Sequence, residues 1–520
     1  MKTTVSYALP STSSKRRSSA YGAALAIVAS NALVLFGALA APAPPGGAPL
    51  KPPPGAPKPA MLVLNPAGSA PKPPAAVVAA MPKVAAAQTT SLSAKPLTVA
   101  PVPAPAASKP VIAPAPVSTA LQDLGEKIFN DTNLSEPRGT ACASCHAPST
   151  GFASLNGSHI GVPQGSRPKV FGTRAVMHNS YSSFTPAFSF RVRDGDVDPM
   201  GGLFWDGRVD TLAQQAQGPF LAALEMNNKD AASVMAKIAA SGYASQMRTV
   251  FGADVFKDST KAFERVAQAI AAHEATRKFQ SFSSRYDQFV AGKAQLTPTE
   301  TSGMNLFMDV KKGNCASCHT MNPKASGPTD NLFTDFGHYA SGIPRNMAIP
   351  ANANPSYFDL GLCGPQRMRP ALSANVPTGV SVEKFCGTFK MPSLRNVAQR
   401  QVFMHNGFFN NLRDVLSFYS SRNSDPKRWY GSAGVPNDLP AAYLANIVSD
   451  RAPFDRAASA GPALTEREID DVLAFLKTLS DQLPPPPAGT GPAPTPAPAQ
   501  VAMNPFGSMP PPPPPKSAPR

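Results

Sequence analysis

The chain has 520 residues, of which 60 are Pro, 48 Lys or Arg and 32 Asp or Glu, for a formal net charge of +16. The charge is unevenly placed: ten Lys or Arg precede Asp123, the first acidic residue, and Lys516 and Arg520 lie in a Pro-rich tail. Twelve of the sixteen charges therefore fall outside the apolar-patterned middle, and the basic residues left there are not interleaved with aromatics, which excludes a nucleic-acid surface as their purpose.

From the N-terminus, Lys15, Arg16 and Arg17 precede an apolar run from Tyr21 to Ala41, and Ala38-Leu39-Ala40 has the small-x-small form of an export cleavage site. Residues 1–40 read as an export signal. The run approaches the length of a membrane span, so an uncleaved anchor tethering the chain to the membrane is the alternative. Either reading puts the folded part outside the cytoplasm, in the periplasm or an equivalent compartment. Arg16-Arg17 lacks the apolar residues that follow a twin-arginine pair. Residues 41–117 and 484–520 are almost wholly Pro, Ala, Val, Lys and Ser. Such segments cannot bury enough apolar surface to offset the entropy of ordering, which predicts a disordered linker and a disordered tail.

The middle holds an internal duplication. Gly125-Glu126-Lys127-Ile128-Phe129-Asn130-Asp131 aligns with Gly303-Met304-Asn305-Leu306-Phe307-Met308-Asp309, and a Cys-Ala-Ser-Cys-His pentapeptide follows each. Leu124, Ile128 and Phe129 have helical spacing, as do Met304, Phe307 and Met308, so each unit opens on a short amphipathic helix. Two more helices are predicted. One runs from Thr260 to Arg277 through Phe263, Val266, Ile270 and Ala271; the other starts at Thr465, with Glu468 completing a capping box, and runs to Leu479. Strand-like alternation is missing. The fold class is mainly α: two cytochrome c-like haem domains in tandem, 118–294 and 295–483, the second carrying an irregular insertion between His319 and Met391.

Four of the six cysteines form the two Cys-x-x-Cys-His motifs, Cys142/Cys145/His146 and Cys315/Cys318/His319. The spacing suits covalent haem c: two thiols add to the two vinyl groups, and the next residue sets an imidazole under the iron. A dithiol redox pair does not need the following His, and motifs so far apart make poor halves of one zinc site. His146 and His319 are thus expected as iron ligands of two haems. Cys363 and Cys386 lie together in the insertion; in an oxidising compartment they are expected to form a disulfide, with two buried free thiols as the alternative.

Other segments resemble the bacterial di-haem cytochrome c peroxidase and MauG family: Phe204-Trp205-Asp206-Gly207-Arg208, Gln215, Glu225-Met226-Asn227, Pro392-Ser393-Leu394-Arg395-Asn396-Val397, Phe403-Met404-His405-Asn406-Gly407 and Tyr419. They occur in family order across nearly the whole middle region. The resemblance implies a peroxide-reacting N-terminal haem and a C-terminal haem that relays electrons. It implies that Glu225 is the distal acid–base group, that Gln215 orients water or peroxide beside it, and that Trp205 bridges the haems. It also places Tyr419 where peroxidases fed by a small cytochrome have an axial Met and MauG-like members have Tyr, a hard donor that lowers the potential. Two departures matter. Where many members have Arg-Asn-x-Pro, this chain reads Arg174-Ala175-Val176-Met177. A calcium ion between the haems would lose a side-chain ligand there, leaving the carbonyls of Arg400 and Val402, which puts calcium in doubt. His159 lies near the place of a displaceable distal His, but its surroundings do not match, and it reads as a surface residue. His178, His273 and His338 have no motif around them.

The leading expectation is a peroxidase that reduces hydrogen peroxide at the N-terminal haem, with electrons from a small redox protein such as a cytochrome c or a cupredoxin. The alternative within enzymes is a MauG-type oxidase of partner-protein side chains, which Tyr419 favours. A non-catalytic di-haem electron carrier is the alternative from another class, and it has no use for Glu225 and Gln215.

Overall fold

In the computed structural model, which describes residues 118–482 apart from 194–195, 325–326 and 365–375, the chain is mainly helical. The export signal, the linker and the tail lie outside the described residues. The first half holds α1 (Thr119–Phe129), α2 (Cys142–Cys145), α3 (Leu212–Leu221), α4 (Ala231–Ala239), α5 (Ala244–Phe251) and α6 (Ser259–Glu274). The second holds α7 (Arg285–Val290), α8 (Pro298–Met308), α9 (Leu412–Ser421), α10 (Pro426–Tyr430) and α11 (Glu466–Lys477). Short 3-10 turns and two small antiparallel pairs lie between the helices: β1 (Ser189–Arg193) with β2 (Asp196–Met200), and β3 (His338–Tyr339) with β4 (Phe389–Lys390).

The duplicated heptads lie on α1 and α8, and each packs across the long helix of its own half, α1 on α6 and α8 on α11. Glycine permits both crossings. A Cβ on Gly125 would press into the carbonyl oxygen of Ala269, and one on Gly303 into that of Asp471. Backbone atoms cannot give way as a flexible side chain can, so these two positions exclude larger residues. Around them lie separate cores, Leu124, Ile128, Phe129, Phe220, Ile238, Phe263 and Ile270 in the first half and Tyr286, Phe307, Phe333, Phe418, Val472 and Phe475 in the second. Each such side chain contributes about 1.5–3 kcal/mol when fully buried.

α11 starts where the capping box predicts: Thr465 accepts from the Glu468 amide, and Glu468 Oε2 accepts from Thr465 N at 2.8 Å. α6 stops at Glu274, three residues before the predicted end. The chain turns there because Thr276 N bonds to His273 O, which returns Phe279 to the core against Phe129. The halves are joined by buried polar groups. Asp481 accepts from Tyr181 Oη at 2.7 Å and from Asn396 Nδ2 at 3.0 Å, and Arg395, fully buried, pairs with Asp287 at 2.8 Å while lying over the rings of Tyr181 and Phe282. In the insertion Cys363 and Cys386 are bonded as a disulfide, as expected, and pack with Val197, Leu362 and Phe385. Among the described residues no helix is long and apolar enough to cross a membrane.

Candidate active site

Two cavities open behind the Cys-x-x-Cys-His motifs. The first, about 330 Å³, is lined by Cys142, Cys145 and His146; the second, about 130 Å³, by His319. Cys315 packs at the edge of the second core, and Cys318 sits beside Tyr339 of the cavity wall. The four thiols are free of disulfide. Burial pushes them up, Cys145 and Cys315 to about 12, away from the thiolate form a zinc site would require. Each imidazole is anchored through Nδ1 to a backbone carbonyl, His146 to Phe152 O at 2.9 Å and His319 to Phe333 O at 3.0 Å. Burial holds both down near 4, so both rings are neutral and donate through Nδ1, which leaves Nε2 as a lone-pair donor. That donor set, one neutral imidazole and two protonated thiols per loop, fits a haem c.

The wall of the first cavity opposite the motif comes from a tight loop and the helix it feeds. Leu203 and Val209 pair across the loop; Phe204 has φ +64° and Gly207 φ +61°. A left-handed Phe is strained, and it is held by the Arg208 guanidinium 3.5 Å from its ring centroid, while Asp206 beneath takes Arg208 at 2.9 Å and Arg174 at 2.8 Å. Thr211 then caps α3, which presents Gln215 and Pro219 to the cavity. α3 ends at Leu221, two residues after Pro219. The following turn, in which Glu225 N bonds to Ala222 O at 2.9 Å and Asn227 adopts φ +58°, brings Glu225 back into the same wall. Glu225 is therefore a turn residue facing the cavity. Burial raises its pKa above the carboxylate norm and Arg208 opposes that. His159 is exposed and lies away from this wall.

The same loop recurs 200 residues later. Phe403 pairs with Phe409, Met404 has φ +71°, Gly407 has φ +61°, Asn411 caps the next helix, and α9 begins at Leu412 as α3 begins at Leu212. The register sets His405 against Trp205, Val415 against Gln215 and Tyr419 against Pro219. Tyr419 lines the second cavity as Pro219 lines the first. Its hydroxyl lies 3.8 Å from Met404 Sδ, and burial raises the phenol pKa.

Trp205 lines both cavities. Its indole N–H donates to Ala175 O at 2.8 Å, its carbonyl accepts from Lys390 N at 2.8 Å, and Ala175 N donates to His405 O at 2.7 Å, so Ala175 is bonded to both loops. Other residues here carry no sequence motif. His178 is buried, lines both cavities and bonds through Nδ1 to Ser180 O at 2.9 Å. Glu274, in the first wall, accepts from Asn179 at 2.6 Å, has a second oxygen without a partner, and is pushed up to about 8 by burial. Only the partner network reveals them: each is an isolated residue in the sequence. His273 packs against Phe129 and Phe279, and His338 bonds to Gly201 O at 3.0 Å.

Residues 119–295 match the family model described as di-haem cytochrome c peroxidase. The chain is 32% identical over 381 residues to the methylamine utilization protein MauG of Paracoccus denitrificans (strain Pd 1222), covering 71% of this chain and 90% of that protein. It is 25% identical to the cytochrome-c peroxidase IdrP1 of Pseudomonas sp. (strain SCT), over 61% of this chain and 76% of the relative. Among solved structures, the diheme peroxidase BthA from Burkholderia thailandensis E264 superposes with a TM-score of 0.65 at 40% identity, covering 72% of this chain and 90% of that one.

Proposed function

Since the chain belongs to the di-haem cytochrome c peroxidase family, we propose that it reduces hydrogen peroxide to water at the first cavity and draws the electrons through the second. In this reading residues 118–294 form the peroxidatic c-type haem domain and 295–483 the electron-transfer domain. Cys142 and Cys145 hold one haem above His146; Cys315 and Cys318 hold the other above His319. The bound haem supplies the iron that accepts the peroxide oxygen and stores oxidising equivalents.

The carrying observation is the matched pair Pro219 and Tyr419. A pyrrolidine ring has no lone pair to offer a metal, so the first cavity keeps its distal side open to peroxide, whereas the second has a phenol in its wall. Glu225 and Gln215 face the open side. A carboxylate there takes the proton from the inner peroxide oxygen and returns it to the outer one, so that the leaving group departs as water; Gln215 holds the peroxide by hydrogen bonding. Two electrons and two further protons complete the conversion of one peroxide to two waters. Trp205, shared by both walls, carries electrons between the haems. The donor is a small redox protein, a cytochrome c or a cupredoxin, and the site of action is outside the cytoplasm, where haem c and the Cys363–Cys386 disulfide are both stable.

Tyr419 favours a second reading within the same family, peroxide-driven oxidation of side chains on a partner protein, since an anionic oxygen ligand lowers the potential of the second haem and stabilises its oxidised states. Stopped-flow mixing of the two-haem protein with peroxide and reduced cytochrome c or cupredoxin tests the first reading. Two donor equivalents oxidised per peroxide, with turnover, support it. Rapid reaction with peroxide but no turnover with any small donor favours the second, and no reaction with peroxide refutes both.

A further inference from the structure

Glu225 and Glu274 line the first cavity and Asp438 the second, but two cations in these walls have no carboxylate partner among the described residues. Arg174 is paired with Asp206 and Asp359, and Arg208 with Asp206. Lys390 and Arg400 differ. Lys390 is only 4% exposed and lines both cavities, and among the described residues its ammonium has no hydrogen-bond or ion-pair partner. The carboxylate whose field reaches it, Asp206, already serves two arginines. Arg400 donates from Nη2 to the carbonyls of Ser393 at 2.6 Å and Arg395 at 2.8 Å, lines the second cavity, and leaves a buried Nε–H with no acceptor. Its charge is felt at His178 and at His319. Burial without a counter-ion pulls Lys390 down to about 7 and Arg400 to about 9.

Unpaired cations are costly in a folded interior unless an anion arrives to meet them. Each haem carries two propionate carboxylates, anions of the right sign for a wall shared by two haem cavities. We propose that Lys390 and Arg400 form a built-in cationic seat for haem propionates, Lys390 serving both cavities and Arg400 the second. The positive charge between the haems then belongs to the chain itself and not to a bound divalent cation. Ala175, which brings no side-chain oxygen to the inter-haem wall, fits that arrangement. The inference rests on the two-haem reading above, and it makes Lys390 and Arg400 positioning residues that act through the haems.

The test uses the two-haem protein, with haem content counted by mass spectrometry in every sample. A nearby positive charge stabilises ferrous over ferric iron, so Lys390→Met and Arg400→Met should each lower a haem midpoint potential, Arg400→Met mainly that of the haem on His319. Lys390→Arg, which keeps the charge, should retain wild-type potentials. Dialysis of the wild type against a calcium chelator should leave both potentials and the visible spectrum unchanged, with no stoichiometric divalent metal by elemental analysis. Met variants with two haems and unmoved potentials would overturn the cationic seat. So would a chelator-removable divalent ion whose loss shifts the spectrum. Fewer than two haems in the wild type would overturn the parent reading and this one with it.

Discussion

The segments 203–221 and 403–421 share one backbone, loop, cap and helix alike, but carry different side chains at most matched positions. Gln215, Pro219 and Trp205 face or flank the first cavity where Val415, Tyr419 and His405 do so in the second. In the proposed reading one scaffold serves a small polar reactant in the first cavity and a phenol ligand in the second. A reactive haem and a relay haem would then differ through the side chains presented to them, with the position of the helix held constant. The larger first cavity, about 330 Å³ against about 130 Å³, agrees with that division.

The comparison can be broken at several levels. The most drastic is to delete one side of it: Cys315→Ala together with Cys318→Ala should remove one haem completely while Cys142 and Cys145 stay loaded, a mass loss of one haem by intact mass spectrometry. Loss of both, or of neither, would mean that the halves do not mature independently. Next is the chemistry of the open side. Glu225→Gln keeps the shape and removes the base, and should slow the reaction with peroxide by about 10²–10⁴-fold in stopped-flow measurements. Because burial raises the Glu225 pKa and the base works only when ionised, the wild-type rate should fall on acidification with a midpoint above that of an ordinary glutamate. The Gln variant should lose that dependence.

The closed side is probed by Tyr419→Met, which replaces a hard anionic donor by a soft neutral one. The potential of the second haem should rise by an appreciable part of the roughly 0.8 V that axial ligands span, read by redox titration. Tyr419→Phe, which removes only the oxygen, should change the electron paramagnetic resonance signal of that haem; a spectrum identical to wild type would remove Tyr419 from the coordination sphere. The smallest effects should be the most symmetrical. Gly125→Ala and Gly303→Ala each drive a methyl group into a backbone carbonyl, and each should cost about 1–3 kcal/mol of stability, read by denaturant titration. Unequal costs would show that the two helix crossings, alike in geometry, are not alike in rigidity.

Much of this was legible in the sequence because it is carried by contiguous or periodic residues. The Cys-x-x-Cys-His motifs, the Thr465 capping box and the heptads around Gly125 and Gly303 each state their local geometry outright. The second duplication was not legible: its two copies share little beyond a Gly at 207 and 407 and a Leu at 212 and 412, and the likeness lies in left-handed residues as different as Phe204 and Met404. Glu225 was legible as a residue but not as a turn residue, since its orientation depends on where α3 ends, at Leu221, and on the turn that follows. Glu274 and Lys390 were silent for a third reason. Their meaning lies in what they fail to pair with among the described residues, and an unmet partner has no signature in a one-dimensional chain.

The hydrogen bond from the Trp205 indole to Ala175 O bears on how a hole would cross between the cavities. One-electron oxidation of an indole makes its N–H strongly acidic, and beside a carboxylate or imidazole the proton would leave and the radical would become a neutral trap. A peptide carbonyl is far too weak a base to take it. An oxidised Trp205 would keep its proton as a cation radical, so the electron that returns finds the ring chemically intact. With both its N–H and its carbonyl pinned by the backbone of neighbouring segments, the ring also has little to rearrange between charge states. If Trp205 relays electrons as proposed, transfer there would run in both directions without loss of the indole proton.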